Sequence, residues 1–211
     1  MENNTSSAED LKTIRKIMEE STKFLSLSGL SGVFIGLFAI AGAVIAWFII
    51  LDGGNIRFGE YLNSIPLEKA ATIRVQMIIN ALGVLLLSVV TAFFFSLRNA
   101  KRSGKGFLTP ASKRLLINFS IPLTAGGIFA SILAFQNNVL LIIPVFLIFY
   151  GLALVNAGKF TYNEVFYLGI FEIITGLFAA VFPALGLLFW IIGFGILHIV
   201  YGVMMYRKYE V

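Results

Sequence analysis

The sequence predicts an all-α fold: a polytopic bundle of six transmembrane helices, with both ends in the cytoplasm and a short amphipathic helix ahead of the first span. Three observations predict it. Of the 211 residues, 58% are hydrophobic and only 13% charged, whereas soluble domains carry about 25% charged residues, and the mean hydropathy is +0.91. The apolar residues gather in six runs, each near the length of about 20 residues that a bilayer core demands of a helix. The basic residues gather in alternate connections between those runs.

The six runs cover 24–51, 75–97, 115–135, 139–157, 165–182 and 184–206, and together they make one membrane domain over 24–206. The first begins at Phe24 and continues too far for the apolar stretch of a cleaved signal, so it reads as a retained span. The fifth and sixth are parted by Pro183 alone. A single re-entrant hairpin is the alternative there. With the N-terminus inside, 13 of the 16 lysines and arginines fall in inner segments, and only Arg57, Lys69 and Arg74 fall outside. That is the asymmetry of a cytoplasmic N-terminus. An even number of spans then returns the tail, 207–211, to the same side.

Residues 1–23 form the predicted cytoplasmic amphipathic segment. Leu11, Ile14, Ile17 and Met18 recur at three- and four-residue spacing, and Ser7 with Asp10 fits a capping box. The segment either lies along the inner membrane face or extends the first span into the cytosol. The loop 98–114 holds six basic residues and no acidic one, and lacks the spacing of a phosphate-binding loop. It reads as a topology determinant that also attracts anionic lipid. The outer loop 52–74 carries Asp52, Glu60 and Glu68, spread too widely for a metal motif. It reads as a solvated connector.

Inside the spans the informative residues are few. An ionised side chain at mid-bilayer costs about 2.5–3.5 kcal/mol on insertion scales, so it turns toward the bundle. Glu172 has Gly169, Thr175, Gly176 and Ala179 among its helical neighbours, a small face that lets another helix approach. His198, the one histidine, sits beside Gly195 and Gly202. Each lies roughly 12–15 Å from the inner surface at 1.5 Å per residue. Adjacent antiparallel helices would bring them level, so the sequence predicts a Glu172–His198 pair, direct or through Tyr201 or Thr175. Tyr150 and the pair Gln76 and Asn80 complete the candidate polar site, each with interhelical bonding as the alternative role. Pro122, in "PLTAGGIF", marks the best candidate for a broken or hinged helix. Gly29 and Gly36 are echoed by Gly169 and Gly176, which points to similar packing faces on the first and fifth spans.

The absence of cysteine excludes disulfides and thiolate chemistry. Neither H-E-x-x-H nor G-x-S-x-G occurs, and one histidine cannot build a multi-histidine metal site. The sequence thus weighs against an enzyme and calls for no cofactor. Two functional classes remain. In the first, a small protein of the bacterial inner membrane moves a proton, ion or small solute through a polar site near Glu172 and His198. In the second, it is a non-catalytic assembly, sensor or regulatory protein in which those residues are structural. The candidate partners are membrane lipids, anionic at the inner surface, a proton or small solute, a second copy of the chain, or a membrane partner protein. Nucleic acid is not among them.

Overall fold

A computed structural model describes residues 23–51, 66–102, 104 and 106–210. The predicted amphipathic helix and most of the outer loop lie outside these residues. Among the described residues there is no strand, and six helices are long and apolar enough to cross a membrane. They are α1 (Gly29–Ile50), α2 (Leu67–Arg102), α3 (Pro110–Phe135), α4 (Val139–Gly158), α5 (Asn163–Val181) and α6 (Pro183–Tyr209). α5 and α6 are separate helices joined at Phe182.

Local chemistry explains several of the boundaries. α2 runs well beyond its apolar stretch at both ends, because helix-forming polar residues flank it. α3 opens on a capping box: the Thr109 hydroxyl accepts from the Ser112 amide at 3.1 Å, and the Thr109 amide donates to the Ser112 hydroxyl at 2.9 Å. Pro110 follows at the first helical position, where its missing N–H costs nothing. α3 ends where Asn137 adopts a left-handed φ of 61°, which asparagine tolerates better than most residues. α3 continues unbroken through Pro122, so the expected break is not there.

The helices pack in the order α2, α1, α6, α5, α4, α3. Two contacts in this series are unusually close. A Cβ built on Gly202 of α6 would lie 2.6 Å from the Gly29 carbonyl oxygen of α1, and one on Gly151 of α4 would lie 2.7 Å from that of Gly169 on α5. Only glycine permits backbones to meet this closely, and small interfacial residues serve this purpose in membrane bundles. Each of the four helices carries two such glycines seven residues apart: 29 and 36, 151 and 158, 169 and 176, 195 and 202. Seven residues are nearly two full turns, so both members of a pair face the same neighbour. The echo between the first and fifth spans is therefore one of packing faces, with α1 set on α6 and α5 on α4. By contrast, no residue in the most apolar window of α2 is buried. Its leucines, valines and phenylalanines form a continuous apolar surface suited to lipid.

Both described ends of the chain meet at one end of the bundle. The Glu210 carboxylate accepts from the Gly29 amide and, at 3.2 Å, from the Ser28 hydroxyl, so a residue near the end of α6 caps the start of α1. The α4–α5 turn grips the segment before α1: the Phe24 amide donates to the Phe160 carbonyl at 2.7 Å, and the Thr161 hydroxyl donates to the Phe24 carbonyl at 2.6 Å. The Tyr162 hydroxyl donates to the Leu25 carbonyl at 2.7 Å. Burial, reinforced by the neighbouring Tyr209 and Glu210, pushes the Tyr162 phenol up to about 12 and keeps it a donor. Lys208 donates to Glu164 at 2.6 Å, and Tyr209 joins the same carboxylate at 3.1 Å.

Candidate functional site: a buried carboxylate, imidazole and phenol

Glu172 lies mid-way along α5 with no solvent exposure, and His198 on α6 is 2% exposed. The two meet directly: His198 Nδ1 is 3.3 Å from Glu172 Oε1. The same ring nitrogen is 3.1 Å from the Gly193 carbonyl oxygen, five residues earlier on its own helix. A π-helical turn over Ile191–Leu197 widens α6 here. Turns of this kind are concentrated at functional sites. The other ring nitrogen, Nε2, is 2.9 Å from the hydroxyl of Tyr150 on α4. Three helices thus converge on one imidazole.

Glycine makes the approach feasible. A Cβ on Gly193 would lie 2.7 Å from Glu172 Oε2. The fully buried Leu147 packs on the same spot. Neither carboxylate oxygen has a hydrogen-bond donor among the described residues. Such a group in a dry interior needs a proton or a facing cation. His198 supplies the means. As a neutral ring with its N–H at Nδ1, it donates to Gly193 and accepts the Tyr150 O–H at Nε2. As a cation, it donates to the Tyr150 oxygen and turns its Nδ1–H between Gly193 and Glu172. The cluster can therefore hold one proton in two arrangements without moving a heavy atom far.

Aromatic rings wall the cluster. Tyr150 packs edge-on against Phe119 of α3, with centroids 6.0 Å apart, and Phe194 lies 5.3 Å from Tyr150 and 4.7 Å from Trp190. The Trp190 indole donates to the Ala39 carbonyl of α1 at 3.1 Å.

Of the residues singled out from the sequence, the structure brings Glu172, His198 and Tyr150 together. Thr175 bonds back to its own helix at Phe171, 2.8 Å away, and does not bridge the pair. Tyr201 packs beside Leu154, Val165 and Leu168, and no hydrogen bond links it to the pair. Asn80 is elsewhere: its amide donates to the Gly42 carbonyl of α1 at 2.8 Å, tying α2 to α1. Gln76 is exposed on the same helix. The Glu164–Lys208–Tyr209 group and the Glu210 cap went unread in the sequence. The signal for the first was opposite charge at the same-side ends of neighbouring spans, which hydropathy passes over, whereas the cap's partners are the Gly29 main-chain amide and the Ser28 hydroxyl.

Fold and cluster together define a multi-pass α-helical membrane protein with a buried carboxylate–imidazole–phenol group at the meeting of three helices. Comparison with protein-family models, with curated proteins and with solved structures finds no match to this chain.

Proposed function

We propose that this is a non-catalytic, proton-responsive membrane protein, a sensor or regulatory component, whose Glu172–His198–Tyr150 cluster joins α4, α5 and α6. The observation that carries this reading is the enclosure of the pair. A carboxylate with no exposure and, among the described residues, no donor, facing the chain's single histidine at 3.3 Å, suits a proton better than a solute arriving from water. The expected result is a pH-dependent Trp190 fluorescence signal in a Trp47→Phe background, in nanodiscs, that Glu172→Gln abolishes. Proteoliposomes should show only background proton flux. A pH-independent signal, or one unaltered by Glu172→Gln, defeats the reading.

Transport of a proton, ion or small solute is the second reading. The π-helical turn beside His198 favours it, since a widened turn can rearrange. Flux that depends on Glu172 decides for it.

For topology we propose that both ends are cytoplasmic and that the membrane is a bacterial inner membrane, with anionic lipid against the basic 98–114 loop. The support is the distribution of lysine and arginine. The chain has no cysteine, so single cysteines can be placed at will. In intact cells an impermeant maleimide should label Gln136→Cys and should reach Lys101→Cys only after permeabilisation. The reverse pattern inverts the topology.

A further inference from the structure

We propose that the Glu172–His198–Tyr150 cluster exchanges its proton with one side of the membrane only, the side where the chain's described ends meet, and that the Tyr201 hydroxyl relays it between Tyr150 and the Glu164 carboxylate. This rests on the proton-responsive reading above and states which side the protein reads. With the topology proposed above, that side is the cytoplasm.

The first ground is the closure of the far end. Beyond Glu172 the rest of α5, residues 173–181, holds no ionisable side chain, and neither does α6 ahead of His198 or α4 ahead of Tyr150. The apolar stretches of α1, α2 and α3 hold none either. A proton arriving from that side would cross about 14 Å along α5, at 1.5 Å per residue, with no group to carry it. Leu51, Ile73 and Leu187 pack there against Val139 and Leu140. Arg74 of α2 bonds Asn137 beyond α3, and α5 and α6 are joined through Phe182. The helices around the cluster are also interlocked backbone to backbone, α1 with α6 at Gly29–Gly202 and α4 with α5 at Gly151–Gly169. A route that needs no parting of helices must therefore run over side chains already in place.

The second ground is that such side chains stand on the terminal side. Glu172 is faced by His198 of α6 and, behind that ring, by Tyr150 of α4. Next comes Tyr201 of α6, three residues nearer the terminal end than His198. Its ring turns inward against α1, 3.1 Å from where a Cβ on Gly32 would lie. It packs on Leu154, Val165 and Leu168, as Tyr150 and Tyr162 do. It is within electrostatic reach of Tyr150 on one side and of Glu164, Tyr162, Tyr209 and Glu210 on the other. No described residue bonds its hydroxyl, which can both donate and accept. Tyr167 and Tyr206 are exposed and suit the membrane interface, a role an inward tyrosine does not serve. The file ends at water: Glu164 accepts from Lys208, which is 57% exposed, and from Tyr209. Glu164 is about 12 Å along α5 from Glu172. Lys159 at the end of α4 and the ionisable groups of α1, α2 and α3 lie only at or beyond the helix ends. Water bridges form where several polar groups converge, and they converge on the terminal side of the cluster.

The transfer balances without a charged phenol persisting. With the ring neutral, Nε2 accepts the Tyr150 O–H. Tyr150 gives that proton to Nε2 while its oxygen takes one from the Tyr201 side, and Tyr201 is resupplied from Glu164 or the water beside it. Only O–H and N–H bonds break and form, and one proton enters for each histidine charged. The imidazolium then presents Nδ1–H to Glu172, 3.3 Å away. A rise in pH reverses each transfer.

The test uses Trp190 fluorescence in sealed vesicles holding no more than one copy of the Trp47→Phe, Lys101→Cys protein. Lys101 lies at the terminal end of α2 and is exposed. A thiol-reactive resin captures vesicles with this position outside, and a reductant releases them. The external medium is then jumped from about pH 8 to about pH 5, across the range in which histidine titrates. Vesicles with the terminal end outside should respond at once. Those with it inside should respond only after a protonophore is added. Tyr201→Phe should slow the response about tenfold or more, a rise of about 1.4 kcal/mol or more in the barrier, and leave the midpoint pH unchanged, which also shows that the variant is folded. Tyr206→Phe should keep the parental rate. A response confined to vesicles with the terminal end inside, or immediate in both populations, overturns one-sided exchange. A parental rate in Tyr201→Phe overturns the relay. A signal that fails to titrate in either population, even with protonophore, defeats the proton-site reading itself and this inference with it.

Discussion

Replacing His198 with leucine is expected to cost the folded bundle about 3–5 kcal/mol, the usual result of removing one partner of a buried ionic pair. The physical reason is on the α5 side. Glu172 has no hydrogen-bond donor among the described residues, and His198 is the basic group that faces it. Take the imidazole away and the carboxyl group remains enclosed by Leu147 and Gly193 with nothing to compensate it. The double variant Glu172→Leu, His198→Leu should recover most of the loss, since apolar groups of similar volume often replace buried ion pairs without penalty. It still strands the Tyr150 hydroxyl, worth about 1–3 kcal/mol. Adding Tyr150→Phe should recover that as well. Unfolding in denaturing detergent, followed by far-UV circular dichroism, orders the three variants. A His198→Leu protein as stable as the parent would mean that the pair contributes nothing to the fold.

Gly202→Ala is expected to destabilise by about 1–3 kcal/mol, the cost of forcing extra volume into a close-packed contact. The added Cβ would meet the Val33 amide nitrogen at 2.5 Å and the Gly29 carbonyl oxygen at 2.6 Å. Both are main-chain atoms, so α1 and α6 must part. Gly151→Ala should act in the same direction between α4 and α5, where the Gly169 carbonyl oxygen lies 2.7 Å away. Gly83→Ala on α2 and Gly127→Ala on α3 are the contrast. Nothing lies within 4 Å of either added methyl, and alanine in a helix interior is favoured over glycine by roughly 0.5–1 kcal/mol. The same chemical change should thus lower stability at two sites and leave it level or raised at the other two, as read by detergent unfolding. Four variants with one common sign would remove the basis for the interlocked pairs.

Glu172 and His198 were legible as a pair because two signals coincide on them. Each is a costly residue inside an apolar run, and each has small neighbours at helical spacing. Depth, counted along the helix, then set them level. Tyr150 was legible as a polar residue in a span, but nothing in the sequence aimed it at His198 and not at its own helix. Thr175 and Tyr201 are the converse. Their helical spacing from Glu172 and His198 suited a bridge, but a threonine hydroxyl in a helix has a carbonyl of its own within reach. Tyr201 stands on the His198 face among apolar neighbours. Asn80 shows the same limit, since its partner is a main-chain carbonyl on α1, and main-chain groups leave no mark in a sequence. The unbroken course of α3 through Pro122 has a similar cause. One lost hydrogen bond does not end a helix that burial on one side and a bilayer on the other hold together.

By itself the sequence determined that this chain is helical, that it has six stretches long and apolar enough to cross a bilayer, and that the costly Glu172 and His198 turn inward. These follow from the price of an unsatisfied peptide group in hydrocarbon and the length of a helix that spans it, both local quantities. Only the tertiary structure decided that α1 lies on α6 and α4 on α5, that α2 and α3 stay at the edge, and that one imidazole gathers α4, α5 and α6. The reason is that lipid is as apolar as leucine, so hydropathy cannot say which face meets a neighbour. Close contact between particular backbones decides it, and that depends on the whole bundle at once.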